Sequence, residues 1–217
     1  MPCFLKQVQR RQLPLDGESF ICGSIDLMHG AMKQLGIEVP APNDFPQPLE
    51  PFFHRKIWKS SVKALAAAVE LGREMFAKPA GRQKFFNGRV FDSHADLGFL
   101  YGVSRQEPVW CSDIVNWRSE FRTYVIGTEI VALRHYGGDP AVVPSLTVIA
   151  DAIGLFSASG EAPAAYGIDF GVLETGETAL VEANDGYALG AYSVDAEIYT
   201  RLLFVRWQEL LQGRKSP

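Results

Sequence analysis

Residues 166–186 read YGIDFGVLETGETALVEANDG, and the interpretation of the whole chain starts from this stretch. Two runs rich in β-branched and apolar residues flank the turn pair Thr175-Gly176, so the segment predicts a β-hairpin. Side chains alternate between the two faces of a strand, so Glu182 and Asn184 point to the same side, and Asp169 on the neighbouring strand can join them. The segment therefore predicts three oxygen donors that converge on one face of an antiparallel pair.

These three side chains are candidates for a metal site. Carboxylate and amide oxygens suit Mg²⁺, which takes only one or a few protein carboxylates when it also binds nucleotide phosphates. A solvated hairpin with acidic residues near its turn is the alternative, and the pattern in isolation would favour it. Since the carboxylates would repel each other without a cation, we expect Asp169→Asn and Glu182→Gln to leave the metal-free protein as stable or slightly more stable.

The composition narrows the class of protein. A chain of 217 residues with 47% hydrophobic and 21% charged residues is long enough to fold by itself as one compact unit or two small lobes. The formal net charge of -4 gives no general attraction for nucleic acid. Scattered cysteines without zinc-ligand spacing, and the lack of any apolar run of membrane-spanning length, lead us to expect a cytoplasmic protein with no membrane partner.

Patterns along the rest of the chain predict an α+β fold. Apolar, β-branched and aromatic runs indicate strands, while helical spacing and capping residues indicate helices. The predicted strands are residues 18–24, 76–78, 89–91, 109–115, 121–126, 129–134, 168–173 and 178–182, and the predicted helices are residues 25–35, 58–75, 139–156 and 195–211. The proline-rich segment 39–51 predicts a linker or an extended wrap, and not a helix.

Several blocks of the sequence resemble the ATP-grasp superfamily. The Asp followed by Glu-x-Asn in residues 166–186 resembles its metal-binding end, and EFRTYVIGTEIVALRHY (120–136) resembles the block that precedes it. FAKPAGRQKFFNGRVF (76–91) is similar to its Lys-bearing strand and phosphate loop, and VWCSDIVNW (109–117) to its interlobe strand. The segments KFFNG (84–88) and VEANDGYALGAY (181–192) and the pair Arg206-Trp207 are similar to sequences of the clade named for two arginines and a lysine. The members of this clade are predicted ligases.

This resemblance, which covers roughly residues 55 to 211, implies an ATP-grasp-like fold. Two sheet-bearing lobes would clamp ATP, with a short N-terminal strand-helix element in front of them. We expect residues 1–54 to hold this element and the proline-rich linker, and residues 55–217 to form the ATP-grasp domain, with the lobe boundary near residue 115. The long glycine-rich phosphate loop of many ATP-grasp proteins is missing here, since only Gly81 and Gly88 flank the segment.

The resemblance also implies which side chains bind the phosphates. Lys78 would contact the ATP phosphates as a point charge, with Lys84 and Arg82 as second choices in the loop. Arg122 and Arg134 would bind the transferred phosphoryl group or the acid substrate. A structural salt bridge is the alternative for the arginines.

The remaining implied roles belong to the nucleoside and to the metal. The adenine hinge would be formed by Ser112, Asp113, Ile114 and Val115. Mg²⁺ would be held by Asp169, Glu182 and Asn184. Glu120 would contact ribose or orient an arginine. Because Glu120 lies two residues before Arg122, the two side chains can share a strand face and form an ion pair.

The implied reaction is ATP- and Mg²⁺-dependent carboxylate-amine ligation through an acyl phosphate, with release of ADP. The substrates would be small-molecule or peptide carboxylates and amines. A non-catalytic ATP-binding regulatory or interaction module and a small-molecule kinase are the alternatives, and the Asp169/Glu182/Asn184 set argues against the first. The sequence names neither the acid nor the amine, and it leaves the oligomeric state open.

Overall fold

The computed structural model describes residues 12–81 and 85–213, together with residues 6, 7 and 10. From residue 25 onward, the described residues form helices and strands that alternate irregularly along the chain. The helices are α1 (Ile25–Gln34), α2 (Val62–Glu70), α3 (Leu146–Ala158) and α4 (Ala196–Gln212), and the strands are β1 (Ile57–Ser61), β2 (Met75–Pro79), β3 (Arg89–Phe91), β4 (Pro108–Ser112), β5 (Trp117–Ile126), β6 (Glu129–Gly138), β7 (Ala165–Leu173) and β8 (Thr178–Asp185).

The strands form two antiparallel sheets. The first sheet has the order β1-β4-β2-β3, and the second has the order β6-β5-β7-β8. The chain passes from the first sheet to the second through residues 113–116, between β4 and β5. The predicted α+β fold with two sheet-bearing parts is confirmed.

Each sheet buries one face under a helix. In the first sheet, Leu65 and Val69 of α2 pack with Phe91, Val109 and Cys111 in one apolar cluster. In the second sheet, alternate residues of β7 and its neighbours pack against α3 in a larger cluster. Burial of these apolar faces supplies the main driving force for both halves of the fold.

The N-terminal segment packs against the second half of the chain. Met28 and Met32 of α1 lie in a cluster with Trp207 and Leu210 of α4. Residues 40–45, which we call the strap, then run beside β8, and the carbonyl of Asp44 accepts a hydrogen bond from the Ala183 amide at 2.8 Å. The strap therefore reaches the strand that carries two of the three predicted metal ligands, Glu182 and Asn184.

Two predicted helices are placed differently in the structure. Instead of one helix over 58–75, β1 ends at Ser61, whose side chain caps α2 by accepting from the Ala64 amide. Pairing of β1 with β4 outweighs the helical spacing of its residues, and Gly72 with φ +74° follows α2 before β2. The helix predicted over 139–156 begins only after Ser145, because Asp139 forms a local turn with the next residues.

Two predictions for the N-terminal third are also corrected. Residues 18–24, all of which the structure describes, are irregular and not a strand. Their apolar side chains are used in packing on α4 instead, as in the edge-to-face contact of Phe20 with Phe204. The proline-rich segment is extended at first, but Gln47–Phe52 form a 3₁₀ helix. The domain division at residue 54 stays a prediction.

The other predicted strands, the turn at Gly127 and the C-terminal helix are confirmed, with small differences at their ends. In the part of the chain that the structure describes, no helix has the length and apolar character needed to cross a membrane.

Candidate nucleotide and metal site

A cavity of about 390 Å³ is lined by residues from both sheets and from the connection between them. This volume lies within the range of about 300–1,000 Å³ that is common for small-molecule sites. Six of the predicted site residues line it, namely Lys78, Ser112, Asp113, Ile114, Glu120 and Glu182. Among these predicted residues, Lys78 and Glu182 are the farthest apart in sequence, at 104 residues, and the structure brings both into one cavity.

Four predicted charged residues form a row across the second sheet. Arg134 on β6 is in register with Arg122 on β5, Arg122 with Asp169 on β7, and Asp169 with Glu182 on β8. Directly opposed residues of antiparallel strands point to the same face. The two arginines therefore stand at one end of the row and the two carboxylates at the other.

The middle of this row is a buried ion pair. Arg122 donates to both oxygens of Asp169, with Nε···Oδ1 at 2.8 Å and Nη2···Oδ2 at 2.7 Å, and the two residues are only 6% and 2% exposed. Burial alone would lower the pKa of Arg122, but the hydrogen bonds and charge of Asp169 outweigh it and raise that pKa. The partner of Arg122 is thus Asp169, and the ion pair with Glu120 that the sequence allowed is not the one formed.

Lys78 on β2 reaches across from the first sheet to the second. Its ammonium contacts Glu182 and also lies 2.6 Å from Oδ2 of Asp44 in the strap. Burial would lower the pKa of Lys78, but the charges of Glu182 and Asp44 outweigh burial and raise it. Lys78 is therefore a charged, nearly buried group that ties both sheets and the strap together at one end of the cavity.

A β-bulge sets the direction of Glu182. Asp169 pairs with Glu182, but the next residue of β7, Phe170, pairs with Leu180, so Val181 is the extra residue on β8. In a regular strand without this bulge, Leu180 and Glu182 are two residues apart and would point to the same face. With it, Leu180 lies in the apolar cluster under α3 while Glu182 lines the cavity.

Oxygen is the donor type that a hard cation such as Mg²⁺ prefers, and two of the predicted oxygen ligands, Glu182 and Asn184, lie together at this end of the cavity. Asn184 donates its amide N–H to Oε1 of Glu182 at 3.0 Å, so the two side chains are adjacent, and the Asn184 amide oxygen is not used in this contact. Asp169 faces the same region in register, although its two oxygens contact Arg122. The described residues include no group of three or more His, Cys, Asp or Glu side chains suited to a metal ion.

Glu120 contacts an aromatic pair at the far side of the cavity. Its Oε2 accepts from the Tyr136 hydroxyl at 3.2 Å, and burial raises the pKa of Glu120. The Tyr136 ring stacks on Tyr192 with centroids 5.0 Å apart, and Tyr192 lies 4.9 Å from the Arg122 guanidinium. Tyr192 adopts φ +39°, a region that non-glycine residues rarely occupy.

The predicted hinge residues lie at the end of β4. The buried Ser112 hydroxyl donates to the Asp113 carbonyl at 2.9 Å. The Asp113 amide donates to the Lys56 carbonyl, and its carboxylate accepts from the Lys56 amide. The main-chain N–H of Asp113 is thus used within the protein, whereas Ile114 is 39% exposed.

The two remaining predicted residues are less closely tied to the cavity. Arg134 is half-buried at the outer end of the charged row, and its guanidinium donates to the carbonyl of Leu133. Lys84, and with it Arg82, lies outside the described residues. The roles assigned to all these residues stay predictions.

Sequence reasoning missed three residues that line the same cavity or its end. Arg55 lies 5.3 Å from the Trp117 ring and donates to the carbonyls of Leu180 and Val181, and burial lowers its pKa to about 10. Asp44 and Phe45 come from the proline-rich segment, whose composition predicted a linker or an extended wrap. No local pattern could have placed them beside Lys78, because their position depends on packing across the molecule.

Comparison with protein-family models gives one match. The model of an ATP-grasp domain, family 2 of the clade named for two arginines and a lysine, matches residues 52–202. A search of curated proteins found no match.

Solved structures with similar folds are distant in sequence. D-alanine–D-alanine ligase from Bacillus anthracis is 11% identical with a TM-score of 0.48, over 76% of this chain and 62% of that one. D-alanyl-alanine synthetase A from Vibrio cholerae is 10% identical with a TM-score of 0.46, over 74% and 60%. The ATP-grasp ligase PsnB, solved with a minimal precursor, is 14% identical with a TM-score of 0.41, over 73% and 54%. The chain thus spans less than two thirds of each of these proteins.

Proposed function

Because the chain belongs to family 2 of this two-arginine-and-lysine clade of ATP-grasp domains, we propose that it is an ATP- and Mg²⁺-dependent carboxylate-amine ligase. The observation that carries the proposal is the shared cavity of Lys78, Glu120, Glu182 and the hinge residues. A cation for phosphates, a carboxylate for ribose and a main-chain hinge for the base are the groups that a nucleoside triphosphate needs. The substrates are proposed to be small-molecule or peptide acids and amines.

The positions of the lining residues across the cavity support one orientation of the nucleotide. The adenine would lie at Ile114 and Val115, between the apolar side chains of Phe76 and Trp117 that line the same cavity. The ribose would lie near Glu120, and the phosphates would extend to Lys78. The Asp113 amide is used by Lys56, so the main-chain groups of Ile114 and Val115 are proposed to bind adenine.

Glu182 and Asn184 would hold Mg²⁺ at the phosphates, and Asp169 would join them if its contact with Arg122 opened on one side. When bound, the cation would neutralise part of the phosphate charge. The protein residues position the reactants: Lys78 holds the phosphate chain, and Asp169 orients Arg122 toward the transferred group. Arg134, which is paired with Arg122 and points to the same face of the sheet, would bind the acid substrate or the phosphoryl group.

The proposed reaction has two steps. A substrate carboxylate oxygen attacks the γ-phosphorus, the bond from that phosphorus to the β-γ bridging oxygen breaks, and ADP leaves. The amine then attacks the acyl carbon, the carbon-oxygen bond breaks, inorganic phosphate leaves and the amine gives up a proton. The scheme needs no side-chain nucleophile, only charge and positioning.

Substrate pools test this proposal. The protein with MgATP is incubated with pooled amino acids and short peptides, ADP is quantified, and products are identified by mass. An amide product together with ADP and phosphate supports ligation, and hydroxylamine should trap the acyl phosphate as a hydroxamate. A phosphate ester instead would identify a kinase, and tight binding without any ADP would identify a binding module.

Binding itself is tested by thermal unfolding. A ligand that binds only the native state stabilises it by about 2.7 kcal/mol at a hundredfold excess over Kd. We therefore expect a clear upward shift of Tm with MgATP. No shift at millimolar MgATP would remove the support for a nucleotide site.

A further inference from the structure

The strap places a second carboxylate on the lysine that is proposed to bind phosphate. Oδ2 of Asp44 lies 2.6 Å from Nζ of Lys78, and Glu182 contacts the same ammonium. Asp44 precedes the family match, which begins at residue 52. The contact therefore joins a residue outside the matched range to a lysine within it.

The position of Asp44 does not depend on its side chain alone. Its carbonyl accepts from the Ala183 amide at 2.8 Å, between Glu182 and Asn184 on β8. The next residue, Phe45, is 7% exposed, packs edge-to-face on Trp110 at 5.2 Å and lines the cavity. Main-chain bonding and apolar burial thus hold the Asp44 carboxylate at the phosphate end of the site.

We propose that Asp44 makes nucleotide binding depend on a divalent cation, by discriminating against the metal-free nucleoside triphosphate. The inference rests on the nucleotide site proposed above. A phosphate oxygen that contacts Lys78 must come within a few ångströms of the Asp44 carboxylate, because both bind the same nitrogen. Two anionic groups at that separation repel each other in a partly buried site.

The charge of the nucleotide decides how strong this repulsion is. A metal-free triphosphate brings its full negative charge to a lysine that already contacts two carboxylates. A nucleotide with Mg²⁺ carries two fewer negative charges, and its cation is attracted to the same carboxylates. The Asp44 charge therefore weakens binding of the metal-free form and favours the metal-bound form, whatever other groups contribute to the site.

The experiment measures the coupling between metal and nucleotide. Kd is determined for the imido-bridged, non-hydrolysable analogue of ATP, once with excess Mg²⁺ and once with EDTA, for the whole chain. The ratio of the metal-free Kd to the Mg²⁺ Kd is the coupling factor. In Asp44→Asn, which keeps the main-chain bond to Ala183, we expect this factor to fall by about tenfold, mainly because metal-free binding tightens.

Two matched variants separate the local charge from general effects. Asp44→Glu keeps the charge and should retain most of the coupling. Glu161→Gln removes an exposed carboxylate that accepts from Asn43 of the strap at 3.3 Å but does not contact Lys78, so its coupling should equal that of the wild type. Thermal unfolding of each variant is recorded first, and Asp44→Ser serves as the neutral variant if Asp44→Asn does not fold.

Several results would overturn the proposal. Equal affinity of the wild type for the analogue with and without Mg²⁺ would do so before any variant is made. An unchanged or larger coupling factor in the neutral Asp44 variant, or an equal drop in Glu161→Gln, would do so as well. A wild type that binds the analogue under neither condition would overturn the proposed function, which is a distinguishable outcome.

Discussion

Asp169→Asn should destabilise the metal-free protein strongly. The substitution keeps the shape of the side chain but removes its charge, and it leaves the Arg122 guanidinium, 6% exposed, without the carboxylate that receives both of its hydrogen bonds. Removing one partner of a buried ion pair costs about 3–5 kcal/mol. Because the Asn oxygen still accepts one hydrogen bond, we expect the lower end, about 3 kcal/mol.

This expectation reverses the one drawn from the sequence. Repulsion between Asp169 and Glu182 was expected to make Asp169→Asn neutral or stabilising, but the structure pairs Asp169 with a cation. For a chain of this size, each kcal/mol shifts Tm by about 2–4 °C, so Tm should fall by about 6–12 °C. Urea unfolding should show the same loss in the free energy of unfolding.

Glu182→Gln is the matched control. Its carboxylate also pairs with a lysine, but its side chain is 23% exposed and Asp44 remains on the same ammonium, so a smaller loss is expected. Arg122→Gln and the double variant Arg122→Gln/Asp169→Asn complete a cycle, and the double variant should be more stable than the sum of single losses implies. A Tm of Asp169→Asn at or above that of the wild type would show that the buried ion pair does not stabilise the fold.

Three further predictions concern other parts of the chain. Arg134→Gln should reduce turnover at least tenfold with little change in Tm, because the Arg134 side chain is half-buried and, among the described residues, hydrogen-bonds to the adjacent carbonyl. Equal activity would exclude a role of Arg134 in the reaction. Gly186→Ala should lower Tm sharply, since a Cβ there would lie 2.1 Å from the Ala165 carbonyl oxygen, and an unchanged melt would contradict this. In a Cys3→Ser background at pH 8, a thiol reagent should label the exposed Cys22 quickly but Cys111 only on unfolding. The reason is that Cys111 is buried, which raises its pKa to about 11. Rapid labelling of both cysteines in the native protein would contradict this expectation.

The hairpin and the shared face of Asp169, Glu182 and Asn184 could be predicted because local patterns determine them. Turn residues at Thr175-Gly176 and the period of two in Glu182-x-Asn184 placed these groups on one strand face, as the structure has them. The bulge at Val181 was not visible, since the extra residue is an ordinary β-branched residue. It is nevertheless the reason that Leu180 faces the core while Glu182 faces the cavity.

The errors arose where contacts distant in sequence decide the outcome. Residues 58–61 have helical spacing with the residues after them, yet they belong to β1 because β4 offers hydrogen-bonding partners. Arg122 could have paired with Glu120 or Asp169, and only the register of β5 with β7 selects Asp169. The contacts of Asp44 and Arg55 likewise depend on the packing of the strap and β8, which spacing along the chain does not reveal.

Burial of Phe45 and Leu49 shows that the part of the chain that matches the family is smaller than the part that folds as one core. The family match begins at residue 52, yet Phe45 at 7% exposure and Leu49 at 0% belong to the same core cluster as Ile149, Ile153 and Phe170. A chain cut at the edge of the match would lose these two side chains and leave an opening in its largest core cluster, at a cost of several kcal/mol. Recombination or fusion at residue 52 would therefore transfer the matched domain without Phe45 and Leu49, which belong to its core. An exchange of this domain between relatives that keeps the core intact would have to be made before residue 40, where the strap begins.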